Sequence, residues 1–127
     1  MPNRTRVLVM DDNKDAVDSL LVLLDADGYN AKGIYSARNI FADVRDFDPD
    51  VIIMDIAMSG HSGWDAARDV FQYRTHKRPM MIAVSGEYTK GADRLRAELT
   101  RFRFDYYLVK PCDPAVLLKL IGSYPAR

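Results

Sequence analysis

The sequence predicts an α/β fold, an open doubly wound parallel sheet with helices on both faces. Three observations carry this. Short apolar runs at 7–10, 51–54, 81–84 and 106–109 alternate with segments of helical periodicity. The runs are nearly continuous rather than alternating, as expected of strands buried on both faces. Each run also closes on a polar mark: Asp11-Asp12, Asp55, Ser85 and Lys110. In such sheets ligands bind outside the carboxyl ends of the strands, where all four marks fall.

The elements follow in order. The first strand is Arg6–Met10, and the helix after it, Lys14–Ala26, spaces Val17, Leu20, Leu21 and Leu24 for one face. Gly28 sits where a C-terminal glycine ends a helix. A second strand at Asn30–Ile34 leads to Ser36, a candidate N-cap for a helix presenting Ile40, Phe41 and Val44 on one side. Asp48-Pro49-Asp50 is a turn before the third strand. A loop at 60–63 opens a helix at 64–73, which buries Ala67, Val70 and Phe71. Arg78-Pro79 enters strand four, and a loop bracketed by Gly86 and Gly91 precedes a helix at 92–102. Strand five spans 105–109. Asp113 then caps a last helix with Pro114 at its first position and Val116, Leu117, Leu120 and Ile121 on its apolar side.

The chain has 127 residues, enough for a single domain over 1–127. Lysine plus arginine and aspartate plus glutamate each number 18, so there is no overall basic excess of the kind nucleic-acid binders carry. No apolar run approaches the roughly 20 residues a membrane span needs, and the polar start has no signal-peptide core. A cytoplasmic protein without direct nucleic-acid or membrane contact is expected. Cys112 is the only cysteine, which excludes an internal disulfide and reads as a packing residue.

The four marks together have a chemistry. Carboxylates from Asp11, Asp12 and Asp55 within a few ångströms repel one another, and a hard divalent cation relieves that repulsion. Asp12 and Asp55 suit direct ligation of Mg²⁺, with Asp11 acting through water. Asp55 is then a nucleophile toward phosphorus, Lys110 neutralises charge on the transferred oxygens, and the Ser85 hydroxyl hydrogen-bonds one of them. Each mark alone has a plainer meaning: Asp11-Asp12-Asn13 suits a helix cap, and a polar residue after a strand is ordinary. The force lies in their equivalent positions on one sheet.

These residues resemble the receiver domain of two-component response regulators, over essentially the whole chain. The family pattern is an acidic pair after strand one, a phosphoacceptor Asp after strand three, Ser or Thr after strand four and Lys-Pro after strand five. Asp11, Asp12, Asp55, Ser85 and Lys110-Pro111 stand in those places, and Asp55-Ile56-Ala57-Met58 with Gly63 is similar to the loop after the family's acceptor. The resemblance implies a flavodoxin-like, CheY-like sheet of five parallel strands in order 2-1-3-4-5 with five helices. It implies phosphorylation of Asp55 by a histidine kinase or histidine phosphotransfer protein. It further implies Mg²⁺ held by Asp11, Asp12, Asp55 and the Ala57 carbonyl, a switch pairing Ser85 with Tyr107, and a cis bond before Pro111. The output face is the fourth helix, fifth strand and fifth helix, addressed to an unknown downstream protein, by a monomer or a phosphorylation-dependent dimer.

The chain also departs from the pattern. Ser59 replaces a frequent proline, and Ala57 and Glu87 occupy the variable positions that tune the phosphorylated lifetime. The stretch from Ser85 to Lys110 is longer than usual, and Arg103 stands where a glycine commonly precedes strand five. Arg94, Arg96, Arg101 and Arg103 with Phe102 and Phe104 form a basic, aromatic stretch, either a partner-docking surface or a solvated helix face with core anchors. His61 and His76 read as surface residues, and Trp64 as packing at the start of its helix.

Rival functions are a degenerate receiver binding partners without phosphorylation, and an aspartate-nucleophile phosphatase of the haloacid dehalogenase type. The second needs an Asp two residues after the nucleophile, where this chain has Ala57. The reading is therefore a regulatory phosphoacceptor rather than a dedicated enzyme. The Met1 start and the lack of linker residues favour a stand-alone receiver over a piece of a longer regulator or hybrid kinase.

Overall fold

A computed structural model describes residues 5–56, 78–85, 97, 99–101 and 103–124. The described elements are β1 (Arg6–Met10), α1 (Lys14–Ala26), β2 (Asn30–Ile34), α2 (Ile40–Phe47), β3 (Val51–Asp55), β4 (Met80–Ser85), β5 (Tyr106–Val109) and α3 (Pro114–Gly122). The strands form one sheet in the order β2-β1-β3-β4-β5, and every neighbouring pair is parallel. This is the flavodoxin-like order expected, with the reversal of strand order between β1 and β3. Of the five expected helices, that at 64–73 lies outside the described residues, and in 92–102 the described residues 97 and 99–101 are helical.

Strand alternation builds the two-sided core. Val7 and Val9 point to one face with Ile53, Ile82 and Val84, under Val17 and Leu24 of α1 and Leu117 and Ile121 of α3. Leu8 and Met10 point to the other with Ile52, Met54 and Met81, under Ile40 and Val44 of α2. All five residues of β3 are buried, whereas β2 and β5, at the sheet edges, are largely half-buried or exposed. The continuous apolar pattern thus holds where a strand has neighbours on both sides.

The α1 helix sits unusually close to β2 at Gly33. A Cβ built there would collide with Val17 Cγ1 and lie 2.9 Å from Leu21 Cδ1, so a hydrogen side chain is what lets the helix pack. After α1, Gly28 takes φ 89°, the left-handed turn expected of it. Arg103 adopts the same region at φ 61°: its N–H donates to the Thr100 carbonyl (3.2 Å) and the Phe104 N–H to the Leu99 carbonyl (2.9 Å). These are the two bonds of a Schellman helix end, made without the customary glycine.

Three local expectations need correction. Ser36 does not cap α2. Residues 37–39 form a turn closed by the Ile40 N–H on the Ala37 carbonyl (3.2 Å), which moves the helix start beyond Asn39. Phe41 is exposed, because only Ile40 and Val44, four residues apart, share the buried stripe of so short a helix. Val116 is likewise exposed, since α3 buries the Leu117–Ile121 line. Its cap is as expected: Asp113 Oδ1 accepts the Ala115 N–H at 2.9 Å, with Pro114 opening the helix.

The amino edge of the sheet is tied by a polar cluster that sequence reading missed. The buried Asp50 carboxylate accepts the Arg6 N–H at 2.7 Å, and the Arg6 guanidinium reaches the Asp48 carbonyl and carboxylate at 3.0 and 3.3 Å. Asp105 accepts the Met81 N–H at 2.8 Å and pairs with Arg78 at 3.4 Å. These carboxylates bridge adjacent strands far apart in sequence, so no local pattern announces them.

Candidate active site at the carboxyl edge of the sheet

The backbone ladder carries on past the strand ends and brings the polar marks together. The Asp11 N–H donates to the Ile34 carbonyl (3.2 Å), the Ile56 N–H to the Val84 carbonyl (3.2 Å) and the Lys110 N–H to the Ser85 carbonyl (2.8 Å). Lys110 is thereby pinned beside β4, and its side chain crosses toward β1 and β3. Its Nζ lies 2.6 Å from Asp11 Oδ2 and 3.2 Å from Asp55 Oδ2. The Lys110–Pro111 peptide is cis, as the resemblance implies.

Asp11 and Asp55 are each only 7% exposed and Ser85 1%, while Asp12 faces solvent. Oxygen atoms of Asp11, Asp12 and Asp55 all lie within 4.8 Å of one another. Asp11 Oδ1 also accepts the Asn13 N–H (2.9 Å), and Asn13 Oδ1 caps α1 by accepting the Ala16 N–H (3.1 Å). The acidic turn therefore both caps α1, through Asn13, and brings the carboxylates together. Burial works against the charge of Lys110, yet the Asp11 hydrogen bond and the charges of Asp55 and Asp11 outweigh it and hold the ammonium above its ordinary range. Hard carboxylate oxygens at this separation, with one exposed to water, fit a small divalent cation such as Mg²⁺.

Tyr107 lies on the β5 face that also carries Val109, beside the Ser85 side chain. Burial raises its phenol above the ordinary value, partly offset by the neighbouring Ser85 hydroxyl. A cavity of about 510 Å³ opens from Asp11, Asp55 and Lys110 between α1 and the start of α3, walled by Leu20, Leu23, Cys112 and Leu117. Ala57, Ser59, His61, Trp64, His76, Glu87, Arg94, Arg96 and Phe102 lie outside the described residues.

The sequence pattern of the response regulator receiver domain matches residues 7–122. The chain belongs to that family. It is 29% identical over 119 residues to protein PilH of Pseudomonas aeruginosa, covering 93% of this chain and 95% of that protein. It is also 29% identical over 122 residues to the transcriptional regulatory protein YvrH of Bacillus subtilis, covering 95% of this chain and 49% of that protein. Among solved structures, this receiver domain superposes on chemotaxis protein CheY4 of Vibrio cholerae with TM-score 0.86 at 23% identity, covering 97% of this chain and all (100%) of that one. It superposes on the receiver domain of a sensor histidine kinase from Pseudomonas aeruginosa, solved with magnesium coordinated in the active-site cleft, with TM-score 0.80 at 20% identity over 96% and 98% of the two chains. Receiver domains are signalling regulators rather than dedicated enzymes.

Proposed function

We propose that this receiver accepts a phosphoryl group on Asp55 from a phosphohistidine of a histidine kinase or histidine phosphotransfer protein. The observation that carries the reading is the Asp55 carboxylate, nine-tenths buried, with Lys110 Nζ at 3.2 Å and the oxygens of Asp11 and Asp12 within 4.8 Å. One Asp55 oxygen attacks phosphorus. The new P–O bond forms as the P–N bond of the donor breaks, and the electron pair returns to the imidazole nitrogen. Lys110 exchanges a carboxylate partner for a phosphoryl oxygen, and the Ser85 hydroxyl donates to another. Asp11, Asp12, Asp55 and the Ala57 carbonyl would hold Mg²⁺, which would supply charge neutralisation for the phosphoryl oxygens.

Switching follows from Ser85. On phosphorylation its hydroxyl turns toward a phosphoryl oxygen, and the Tyr107 ring beside it moves with it. The consequence is a rearranged face at β5, α3 and the helical segment before Arg103, presented to a downstream protein by a monomer or a phosphorylation-dependent dimer. The apolar cavity beside Asp55 leaves the acceptor approachable next to α1. No helix among the described residues is long and apolar enough to cross a membrane. The balanced charge favours protein over nucleic-acid partners, in the cytoplasm.

Incubation with acetyl phosphate and Mg²⁺, read by intact mass, tests the reading. One phosphoryl adduct is expected on the unsubstituted chain and none on Asp55→Asn. A folded, unsubstituted chain that takes no adduct would instead support a phosphorylation-independent interaction module.

A further inference from the structure

We propose that Tyr35 is a positioning residue for the cation site: bonded to Asp18, it clamps the first turn of α1 to the end of β2 and so fixes the turn that carries Asp12. The inference rests on the reading of Asp11, Asp12 and Asp55 as a Mg²⁺ site.

Only residues 11–13 separate the end of β1 from the start of α1. Asp11 is fixed from several sides, by the Ile34 carbonyl, by Lys110 and by the Asn13 N–H. Asp12 is exposed on the turn between Asp11 and the helix, so the hold on that turn bears on its position. In the first turn of α1, Val17 is fully buried against Gly33 of β2, while Lys14, Asp15 and Ala16 on the outer side are exposed. Tyr35 supplies a second tie, on the outer side. It follows Ile34, whose carbonyl takes the Asp11 N–H, and its phenol donates to Asp18 Oδ1 at 2.7 Å. The Lys14 ammonium sits 5.8 Å from the ring centroid. The two contacts straddle the first turn of the helix.

A core-packing role does not account for the side chain. Tyr35 is 42% exposed and belongs to neither buried cluster. What it adds is a fixed distance between the strand end beside Asp11 and the helix that starts two residues after Asp12. Cation binding that must first order this turn is weaker than binding to a turn already held.

The test is Mg²⁺ titration calorimetry on the full chain, with thermal unfolding in EDTA run in parallel. Tyr35→Phe keeps the ring and removes the donor; Asp18→Ala removes the acceptor. Each is expected to raise the Mg²⁺ Kd about three- to tenfold, the scale of one ordinary hydrogen bond as befits an exposed pair. The double variant should be no worse than either single one. Asp18→Asn keeps an acceptor oxygen and should stay within about twofold of the unsubstituted chain. Asp50→Ala, at the opposite sheet edge, should lower the unfolding midpoint and leave Kd unchanged, which separates positioning from general destabilisation. An unchanged Kd in Tyr35→Phe, or equal weakening by Asp18→Asn and Asp18→Ala, overturns the inference alone. Failure of the unsubstituted chain to bind Mg²⁺ overturns the metal-site reading, and this inference with it.

Discussion

Replacing Lys110 with methionine isolates the electrostatics of the site. The substitution keeps a stem of similar length and removes an ammonium 2.6 Å from Asp11 and 3.2 Å from Asp55. At an effective dielectric of about 20, those contacts correspond to gross attractions of about 6 and 5 kcal/mol. Desolvation of the three groups offsets most of this. Breaking a fully buried pair by removing one partner costs about 3–5 kcal/mol, because the other charge is left uncompensated. The Lys110 side chain is 32% exposed, so solvent screens part of the loss. We expect a loss of about 2–3 kcal/mol. For a chain of this size that corresponds to a fall in Tm of roughly 6–12 °C. The assay is urea unfolding followed by circular dichroism at neutral pH in EDTA.

Two further arms make the test specific. Adding Asp11→Asn to Lys110→Met removes one of the stranded carboxylates and should restore about half the loss. Saturating Mg²⁺ should narrow the gap, since an ion that binds only the folded state stabilises it in proportion to occupancy. The pH dependence has a definite sign. The folded pKa of Lys110 is raised above its ordinary 10.5, so its contribution is fully present below that value and is lost as pH rises through the folded value. The two proteins should therefore converge in alkaline solution. Equal stability at neutral pH, or no recovery on adding Asp11→Asn, would refute the electrostatic account.

Gly33→Ala should cost about 1–3 kcal/mol by forcing α1 off β2, as its Cβ meets Val17 Cγ1 and Leu21 Cδ1; chemical denaturation reads this directly. Arg103→Gly should stabilise by about 1 kcal/mol, because φ 61° costs an L-residue and the Schellman bonds use only backbone atoms; an unchanged midpoint would place the compensation in the Arg103 side chain. Asp50→Ala should cost about 2–3 kcal/mol by stranding the Arg6 N–H at the buried amino edge of the sheet. Unchanged or slower hydrogen exchange of the β1 amides would contradict that assignment.

Much of the fold was legible because its signals are local. The apolar runs, the Gly28 stop and the Asp113-Pro114 start each depend on a few neighbouring residues, and all three stand as read. Ser36 misled for the same reason: a serine before a helical pattern is a cap only if the chain enters the helix there, and the turn at 37–39 delays the entry. Phe41 and Val116 were assigned to buried faces by periodicity alone, while the width of each buried stripe is set by the partner surface.

The sequence by itself determined the kind of chemistry available. Its strand ends carry carboxylates, a hydroxyl and an amine, and parallel strands must place like ends together because they run in one direction. Tertiary structure decided the distances and the supports. That Lys110 divides itself between Asp11 and Asp55, that Ser85 lies beside Tyr107, and that Gly33 admits α1 against β2 all depend on strand neighbours far apart in the chain. The Tyr35–Asp18 tie and the Arg6–Asp50 clamp belong to the same class. Their energies come from geometry at the scale of a hydrogen bond, which the order of strands in the sheet sets and residue spacing alone does not encode.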